Sequence, residues 1–562
     1  MADQPLTISS QHNEDASTNA SDNPSFDSIL QLRLSRRQLL RGSAAAAMAI
    51  VGGFGVTAAC ATGRHPAGPG LGARSLKLDF AAVPKSLADA VILPAGYSHS
   101  VLYRLGDPIA AGVADYLNDG TDAPASFAQR AGDHHDGMSY FGMHAHGKWE
   151  KNSSDRGLLC VNHEAITPAF LHPTGPTIVA GARTSADEVL REFYVHGIGV
   201  IEVAKEHGRR GTWRYKQDSR FNRRIHTLTE MKLSGSAANT PYMITKFSPD
   251  GSKTRGTINN CANGETPWGT YLTCEENWAG YFRRITATDN PNRTAKELAS
   301  FARYGVAGNG RELWATVTPD TTDNLYGRWN AMKLGASSDG SDDYRNAPNT
   351  FGWVVEIDPF GPASIPRKRT ALGRFAHEGA MLGPVKTGEP LVWYMGCDAR
   401  NEYIYKYVSN RRWNPRDAHG GIEVGDKYLD DGKLYVARFN ADGGGEWLEL
   451  SFGINGITAA NPAYAFADQA DVLINTRLAA DAAGATKMDR PEWGAVHPHN
   501  GEVYFTLTNN NAANRPITKV DAANPRFYND QRTTGQNQLG NPNGHIIRFA
   551  EAGGDVDARL FK

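Results

Sequence analysis

The chain has 562 residues, which is long enough to bury a large core. Its 59 Lys and Arg nearly balance its 60 Asp and Glu, and this balance argues against a nucleic-acid binder that relies on a basic surface. Five cysteines in so long a chain do not make a disulfide framework, while 59 glycines predict many tight turns and an all-β bias.

The N-terminal region has the composition of an export signal. Residues 1–34 are polar and expected to be disordered, and Arg36-Arg37 precede a weakly apolar, Gly-interrupted run at 44–59. We therefore predict that residues 1–61 are a disordered N-terminus plus a twin-arginine signal peptide, and that 62–75 are a linker. The expected partner is the twin-arginine export machinery, which delivers folded proteins to the periplasm or outside the cell.

Two alternatives stay open at this end of the chain. The apolar run could be an ordinary N-terminal helix or a membrane anchor, although its glycines argue against a stable span. Cys60 could be lipidated, which would make the protein an outer-membrane lipoprotein, but Thr57 stands where Leu is usual in such signals.

Short strand-like runs with turn residues between them fill the rest of the chain. The runs are 157–160, 197–203, 213–215, 271–274, 353–357, 391–395, 403–408, 434–439, 503–507 and 546–549. Many short strands without strand–helix alternation are typical of a sandwich, barrel or propeller, and the length favours a β-propeller. We predict a single propeller domain over 76–562, in which 391–395 and 403–408 form a hairpin.

Three segments depart from this strand pattern. Helical periodicity is clearest at 464–483, where apolar residues recur at spacings of three and four. The segments 284–350 and 509–542 are polar and rich in Asn and Gly, so they are expected to be long loops over one face, with short helical insertions.

Adjacent carboxylates end one of the predicted strands. Glu275 and Glu276 follow the run 271–274, directly after Cys274. Neighbouring carboxylates repel each other unless a positive group lies between them, and a bound cation is a common solution. The alternative interpretation is a strand end that is simply solvated.

Other strand ends carry ligand-type residues as well. They are Cys160, Asn162, His163 and Glu164; Arg374, His377 and Glu378; Cys397 and Asp398; Asp489, Arg490 and Glu492; and, upstream, Asp133–Asp136. Each of these alone is more often a solvated or packed residue than a ligand. A propeller, however, gathers its inner strand ends around a central channel, where carboxylates distant in sequence can meet.

These residue types indicate a mixed metal site. Carboxylates and Asn carbonyls are the hard ligands that Ca²⁺ takes, whereas a thiolate favours a transition metal such as iron or zinc. The scarcity of His in each motif argues against a three-histidine zinc site. Metals with a nearby arginine suit phosphate, which Arg374 could clamp, although this arginine could equally be packed against the sheet.

Five ordered motifs resemble those of the PhoX family of secreted bacterial alkaline phosphatases, from about residue 75 to the C-terminus. The motifs are Cys-Val-Asn-His-Glu (160–164), Pro-Trp-Gly-Thr-Tyr-Leu-Thr-Cys-Glu-Glu (267–276), Gly-Arg-Phe-Ala-His-Glu-Gly (373–379), Glu-Tyr-Ile-Tyr-Lys-Tyr (402–407) and Met-Asp-Arg-Pro-Glu-Trp (488–493). No Gly-x-Ser-x-Gly elbow or Walker-type loop competes with them.

The resemblance implies a six-bladed propeller that hydrolyses phosphomonoesters at a central site holding two irons (Fe³⁺) and Ca²⁺. It implies Arg374 and Glu275 as catalytic residues, with Arg374 contacting phosphate. The metal ligands it implies are Cys160, Glu164, Glu275, Glu276, Glu378, Asp398, Asp489 and Glu492. A monomer acting on small phosphomonoesters, without nucleic acid, is the expected form.

Cys397 departs from this pattern, because an acidic residue is expected there in the family, and Asp133–Asp136 is also not quite the expected sequence. If Cys397 is merely packed, Asp398 is the only ligand in that motif. Two other functions stay open: a Ca²⁺-dependent propeller lactonase or esterase, whose site has no thiolate, and an exported propeller that binds a partner without catalysis. The sequence leaves open a disulfide among Cys261, Cys274 and Cys397, and it does not give the preferred substrate.

Overall fold

The computed structural model describes residues 80–206, 212–531, 535 and 537–562. The predicted export signal, Cys60 and the linker lie outside this part of the chain. The chain divides into two compact units, residues 1–99 and 100–562. In the described part of the first unit, the rings of Phe80 and Tyr97 meet edge to face at 5.4 Å. The functional residues all lie in the second unit, to which the rest of the description refers.

Strands dominate this unit. They are β1 (His135–Gly142), β2 (Arg156–His163), β3 (Ile178–Val179), β4 (Ala182–Arg183), β5 (Gly197–Lys205), β6 (Trp213–Tyr215), β7 (Arg223–Ile225), β8 (Glu230–Ser234), β9 (Lys253–Arg255), β10 (Asn260–Glu265), β11 (Tyr271–Glu275), β12 (Arg283–Arg284), β13 (Gly308–Asn309), β14 (Val354–Ile357), β15 (Arg367–Arg369), β16 (His377–Leu382), β17 (Pro390–Cys397), β18 (Arg400–Glu402), β19 (Ile404–Arg412), β20 (Gly432–Phe439), β21 (Gly445–Glu449), β22 (Met488–Asp489), β23 (Pro491–Val496), β24 (Val503–Leu507), β25 (Asn510–Asn511), β26 (Tyr528–Gln531), β27 (Asn537–Asn541), β28 (His545–Phe549) and β29 (Leu560–Phe561).

Helices are few and short. The α-helices are α1 (Pro168–Leu171), α2 (Ala186–Val195), α3 (Thr286–Asp289), α4 (Ala295–Tyr304), α5 (Gly425–Tyr428), α6 (Gln469–Ile474) and α7 (Thr476–Ala483). Single 3₁₀ turns connect other elements, for example at Trp278–Tyr281 and Gly327–Trp329. Within the described residues, no helix is both long enough and apolar enough to cross a membrane.

The strands form two large sheets and several small ones. A five-stranded sheet has the order β1-β2-β5-β6, with β7 also paired to β5. A twelve-stranded sheet runs β29-β21-β20-β19-β17-β16-β10-β11-β14-β15-β8-β9, antiparallel except at β10/β16 and β8/β15. In the described part of the chain, no sheet closes on itself into a barrel. The number of strands and the small number of short helices confirm the strand-rich, helix-poor fold predicted from the sequence.

Each of the ten predicted runs coincides with a strand, although Trp353 and Tyr403 lie one residue before β14 and β19, and 391–395 pairs with the run from 404 as β17 and β19. The periodic segment 464–483 contains α6 and α7, which meet at Asn475. The two predicted loop insertions are wrong in detail. The first, 284–350, contains α3, α4 and part of a two-stranded sheet, and the second, 509–542, contains the three-stranded sheet β25-β27-β26.

The first insertion is ordered because its sequence carries both helix ends and an apolar core. Thr294 and Glu297 form a reciprocal capping box at the start of α4, and Gly305 ends the helix at φ 76°. Behind it, Trp314 and Trp329 pack with other buried aromatic side chains in one cluster. The composition of the segment does not reveal this core, because its aromatic residues stand far apart in the sequence and come together only in the folded chain.

Candidate metal centre

Four neighbouring strands each carry a β-bulge at a candidate ligand. The pairing register shifts between His135 and Met138 in β1, Asn260 and Asn263 in β10, Glu378 and Met381 in β16, and Pro491 and Gly494 in β23. The ligand-type residues in or at the edge of these segments are Asp136, Cys261, Glu378 and Glu492. Because a bulge re-aims side chains that strict alternation would send to the other face, these four strands can present donors toward one site.

Two glycines let the strands come close enough to do so. A Cβ on Gly137, next to Asp136, would lie 2.6 Å from the carbonyl oxygen of Cys261. A Cβ on Gly264 in β10 would lie 2.0 Å from the carbonyl oxygen of Ala380 in β16. Any larger residue at either position would push these strands apart.

Cys261 lies at the centre of the resulting cluster. Its Sγ is 3.0 Å from Asp136 Oδ2 and 3.2 Å from Glu378 Oε1. A thiol has one hydrogen and can donate to only one of these oxygens at a time. The cluster therefore has more hydrogen-bond acceptors than hydrogens to share among them. A bound cation would interact favourably with the acceptors that are left without a hydrogen.

The donor atoms fall into two triads that share the thiol. Asp136, Glu164 and Cys261 form one, and Cys261, Glu276 and Glu378 form the other, with the donor atoms of each triad within 4.8 Å of one another. The members of the first triad are half-buried, whereas Glu276 and Glu378 are buried.

The electrostatics of the cluster favour bound cations. Burial and the nearby charges of Glu378 and Asp398 raise the pKa of Glu276 well above its usual value. Burial and the charge of Asp398 do the same to the pKa of Glu378, whose Oε2 has no hydrogen-bond partner. Burial, followed by the charge of Asp136, also raises the pKa of Glu164. Carboxylates that destabilise one another in this way are held together by metal ions in many sites.

Asp398 and Glu492 extend the cluster toward Arg490. The guanidinium of Arg490 binds both Asp398 oxygens, at 2.7 and 2.8 Å, and lies 3.5 Å from Glu492 Oε1. Its side chain is about one-third exposed, and its backbone has φ 61°, a conformation that non-glycine residues rarely adopt. A partly exposed guanidinium at the edge of a carboxylate cluster is suited to bind an anion.

The predicted thiolate ligand Cys160 is not in the cluster. It lies in β2, fully buried among apolar side chains such as Leu158, Ile198 and Val200. Burial raises the pKa of this thiol far above its usual value, as expected for a small core residue. The thiol that the structure brings to the carboxylates is Cys261, whereas Cys160 lies apart from them.

Glu275 is also directed elsewhere. Its carboxylate accepts from Lys368 Nζ at 2.7 Å and from the backbone N–H groups of Gly352 and Trp353 at 2.9 and 3.1 Å. Oε1 therefore belongs to a buried ion pair with Lys368, and Oε2 is satisfied by the two backbone N–H groups. Of the adjacent pair, only Glu276 belongs to the cluster, while Glu275, predicted as a ligand and a catalytic residue, is the partner of Lys368.

Asp489 has a similar structural role. It is fully buried and accepts from Arg515 Nε at 2.5 Å, Asn510 Nδ2 at 2.8 Å and Asn541 Nδ2 at 3.0 Å. These three donors satisfy the carboxylate, which holds the sheet β25-β27-β26 against β22. The structure therefore does not bring Asp489, which was predicted as a metal ligand, into the cluster.

Arg374 lies just before β16, and its side chain is buried rather than exposed in the site. Its Nε donates to the carbonyl of Ile474 at 2.7 Å and its Nη1 to that of Pro348 at 3.1 Å. Its guanidinium lies over the rings of Tyr304 and Trp278, at 4.1 and 4.8 Å. Burial without a carboxylate partner lowers its pKa to about 10. The structure thus gives Arg374 other partners than phosphate.

The remaining cysteines take no part in the site. Cys397 is buried, and its Sγ accepts from Arg477 Nε and Nη2 at 3.3 and 3.1 Å, so it is packed and leaves Asp398 as the acidic residue of its motif. Cys274 packs in the largest core cluster. All four described cysteines are free thiols, which excludes the disulfide left open among Cys261, Cys274 and Cys397.

Five of the predicted ligands do gather here: Glu164, Glu276, Glu378, Asp398 and Glu492. Sequence reasoning missed Cys261 as a ligand, and it named Asp136 only as part of the candidate run Asp133–Asp136; both residues lie in bulges. The available signal was the turn-like composition of Asn259-Asn-Cys-Ala-Asn-Gly264 inside a strand, and the Asp-Gly at 136–137. Both patterns are typical of a bulge.

The donor set fits the metals expected from the sequence. Several carboxylates offer the oxygen ligands that Ca²⁺ takes, and one thiol among them offers a ligand for iron. The unpartnered Glu378 Oε2 and the contested hydrogen of Cys261 are the positions at which bound cations would replace missing interactions.

Comparison with known proteins agrees with this geometry. A family model described as alkaline phosphatase PhoX matches residues 78–562. The chain is 38% identical to Pseudomonas fluorescens PhoX, whose structure was solved in complex with vanadate, a transition state analogue. That match has a TM-score of 0.72 and covers 86% of this chain and 74% of the other. No match was found among curated proteins.

Proposed function

This chain belongs to the alkaline phosphatase PhoX family, and from that premise we propose that it releases inorganic phosphate from organic phosphomonoesters after export from the cytoplasm. It is a phosphoric monoester hydrolase of a metal-dependent family. The observation that carries this function is the family match over residues 78–562, which includes every member of the carboxylate–thiol cluster.

We propose that the cluster holds Ca²⁺ and Fe³⁺. Cys261, Glu276 and Glu378 would bind iron, because this triad contains the thiol and is the more buried. Asp136 and Glu164 would bind calcium, with Asp398 and Glu492 as further carboxylates close by. When bound, these cations supply Lewis-acid stabilisation of phosphoryl oxygens and activation of an oxygen nucleophile.

The chain's own residues position and orient the substrate. Arg490 would donate to the phosphoryl oxygens, since its guanidinium is partly exposed beside the cluster. Asp398 holds this guanidinium through one hydrogen bond, from Nη2 to Oδ2, and through the ion pair between Nε and Oδ1, and so fixes its direction before substrate arrives. The bulged strands keep the donors in place, which lowers the cost of reorganisation during phosphoryl transfer.

We propose a β-propeller as the architecture. Supporting observations are that β1, β10, β16 and β23 are neighbours, that each bears a bulge with a donor, and that each begins an antiparallel pair. Six blades, a monomeric state, a single domain over 76–562 and export by the twin-arginine route complete the proposal. The lactonase alternative is less well supported, because a site of one Ca²⁺ has no use for a thiol.

The test is an assay of p-nitrophenyl phosphate hydrolysis, with metal analysis of the same sample, before and after a chelator. We expect bound calcium and iron, and loss of activity as they are removed. Cys261→Ala should lose iron and activity, whereas the matched variant Cys160→Ala should keep both, since Cys160 lies in an apolar core. Calcium without iron, together with hydrolysis of lactones, would favour the alternative, and full activity after both metals are stripped would refute the proposal.

A further inference from the structure

A small cavity outside the metal centre is lined by cationic and hydroxyl side chains. Arg255, Arg328 and Trp329 contribute to its wall, together with the threonines Thr245, Thr254 and Thr350. Its volume is about 10 Å³, room for a single water-sized particle. No carboxylate is among its lining residues, so its charge is positive.

Two adjacent buried donors at this cavity have no acceptor. Arg328 Nε and Trp329 Nε1 are both buried and without a hydrogen-bond partner. These groups can only donate, and leaving one unsatisfied away from water is costly. Arg183 and Arg191 also leave Nε unpaired, but neither lines this cavity, whereas here two orphan donors and a cavity coincide.

The charge of this region is not balanced by the protein. Arg328 donates only to the carbonyls of Arg255 and Thr227, and in the described residues neither Arg255 nor Arg328 has a carboxylate within 4 Å. Burial and the nearby charge of Arg255 lower the pKa of Arg328 to about 9. By contrast, the buried Arg369 is paired with Glu356 and two aspartates. Arg374 is likewise buried without a carboxylate, but its Nε donates to a carbonyl, whereas Arg328 Nε has no acceptor.

We propose that this cavity binds a small monovalent anion of the halide class, chloride being the physiological example. The bound ion would accept from Arg328 Nε and Trp329 Nε1 and would neutralise the paired arginine charges. The size of the cavity excludes phosphate and carboxylates. A water molecule fits by size, and the threonine hydroxyls could accept its hydrogens, but it supplies no negative charge.

The site would support the metal centre indirectly. Thr350 and Phe351 line the cavity, and Lys368 donates to the Thr350 carbonyl at 2.8 Å while lying 3.9 Å above the Phe351 ring. The same Lys368 holds Glu275, the neighbour of Glu276. An anion in the cavity would therefore stabilise a cationic region that fixes the segment from which Glu276 projects.

Bromide provides the direct test, because it replaces chloride and scatters anomalously. In crystals of the metal-loaded wild-type protein soaked in bromide, we expect an anomalous peak within hydrogen-bond distance of both Arg328 Nε and Trp329 Nε1. Density for a water that does not exchange with bromide, or an empty cavity, would overturn the proposal.

Thermal unfolding gives a second, independent readout. At matched ionic strength, chloride should raise Tm by about 2 °C over gluconate, which is too large for the cavity. Trp329→Phe removes one donor together with part of the ring and should lose at least half of that shift, while Trp213→Phe, which removes the same atoms in β6, should retain it. An equal chloride effect in the two variants, or none in the wild type, would contradict a specific site.

Discussion

Glu275 and Glu276 are adjacent, buried and chemically identical, yet they belong to regions with opposite electrostatics. Glu275 faces Lys368 and two backbone donors, so its charge is fully compensated by the protein. Glu276 faces Glu378, Asp398 and Glu164, so its charge is opposed by the protein. The first region is complete without a ligand, and the second requires one.

The same contrast applies to other buried acids. Glu356 is paired with Arg369, and Asp489 with Arg515. In each case a basic side chain, 13 or 26 residues further along the chain, compensates the charge of the carboxylate. The cluster around Cys261 differs because its acids share one thiol, and Arg490 reaches only its edge. What distinguishes a metal ligand from a structural carboxylate is therefore the partner and not the motif.

The largest expected effect is on catalysis, and it should distinguish Glu276 from its neighbour Glu275. Glu276→Gln removes a proposed metal ligand and should reduce kcat on p-nitrophenyl phosphate by on the order of 10⁴-fold, with loss of bound metal. Glu275→Gln is the matched control and should keep metal and activity per folded molecule, although less protein will fold. Equal losses of metal in both variants would remove the distinction between the regions.

The second effect is on stability, and it concerns the ion pair of Glu275 with Lys368. Lys368→Met leaves the carboxylate of Glu275 buried without its cation, which should lower the free energy of unfolding by about 3–5 kcal/mol. The measurement is denaturant unfolding of the metal-loaded protein. Replacing Lys368 and Glu275 together by Met and Gln should recover part of the loss, and a double variant no better than Lys368→Met would argue against the pair.

A third effect should have the opposite sign. In chelated protein, Glu378→Gln relieves repulsion with Asp398 and should raise the free energy of unfolding by about 1 kcal/mol. In metal-loaded protein the same change should lower it, because a ligand is lost. The comparison requires only thermal unfolding with and without chelator. A substitution that destabilises both forms equally would show that Glu378 acts through packing.

The smallest effect is expected at Cys397, the position that departs from the family pattern. Its thiol serves only to accept from Arg477, and a hydroxyl can do the same. Cys397→Ser should change kcat less than about twofold and cost roughly 1 kcal/mol of stability. A large loss of metal in this variant would place Cys397 in the functional site after all.

Much of the fold was predictable because strands leave a local record in the sequence. Each of the ten predicted runs coincides with a strand, and the hairpin of β17 and β19 follows from two apolar runs with a short connection. The structured insertion at 284–350 was not predictable, because its core forms between side chains such as Trp314 and Trp329, whose contacts are set by tertiary structure.

The residue types of the carboxylate–thiol cluster and five of its carboxylates are among those named from the sequence, whereas its thiol is not. Cys160 stands in a strand with regular pairing on both sides, so alternation places it in the apolar core. Cys261 reaches the carboxylates because β10 bulges there, and one inserted residue reverses the expected face. The ion pair of Glu275 was not predictable either, since its partner Lys368 lies 93 residues away in sequence.

The bulges also indicate which mutations can alter such a site. Deleting one residue from the bulge of β10 would restore two-residue periodicity and turn Cys261 toward the interior of the sheet, without changing the residue type at any retained position. Chain length, rather than side-chain chemistry, would then decide whether this fold binds metal. Insertions and deletions of a single residue are thus the mutations through which a protein of this architecture can lose its activity while it keeps its core.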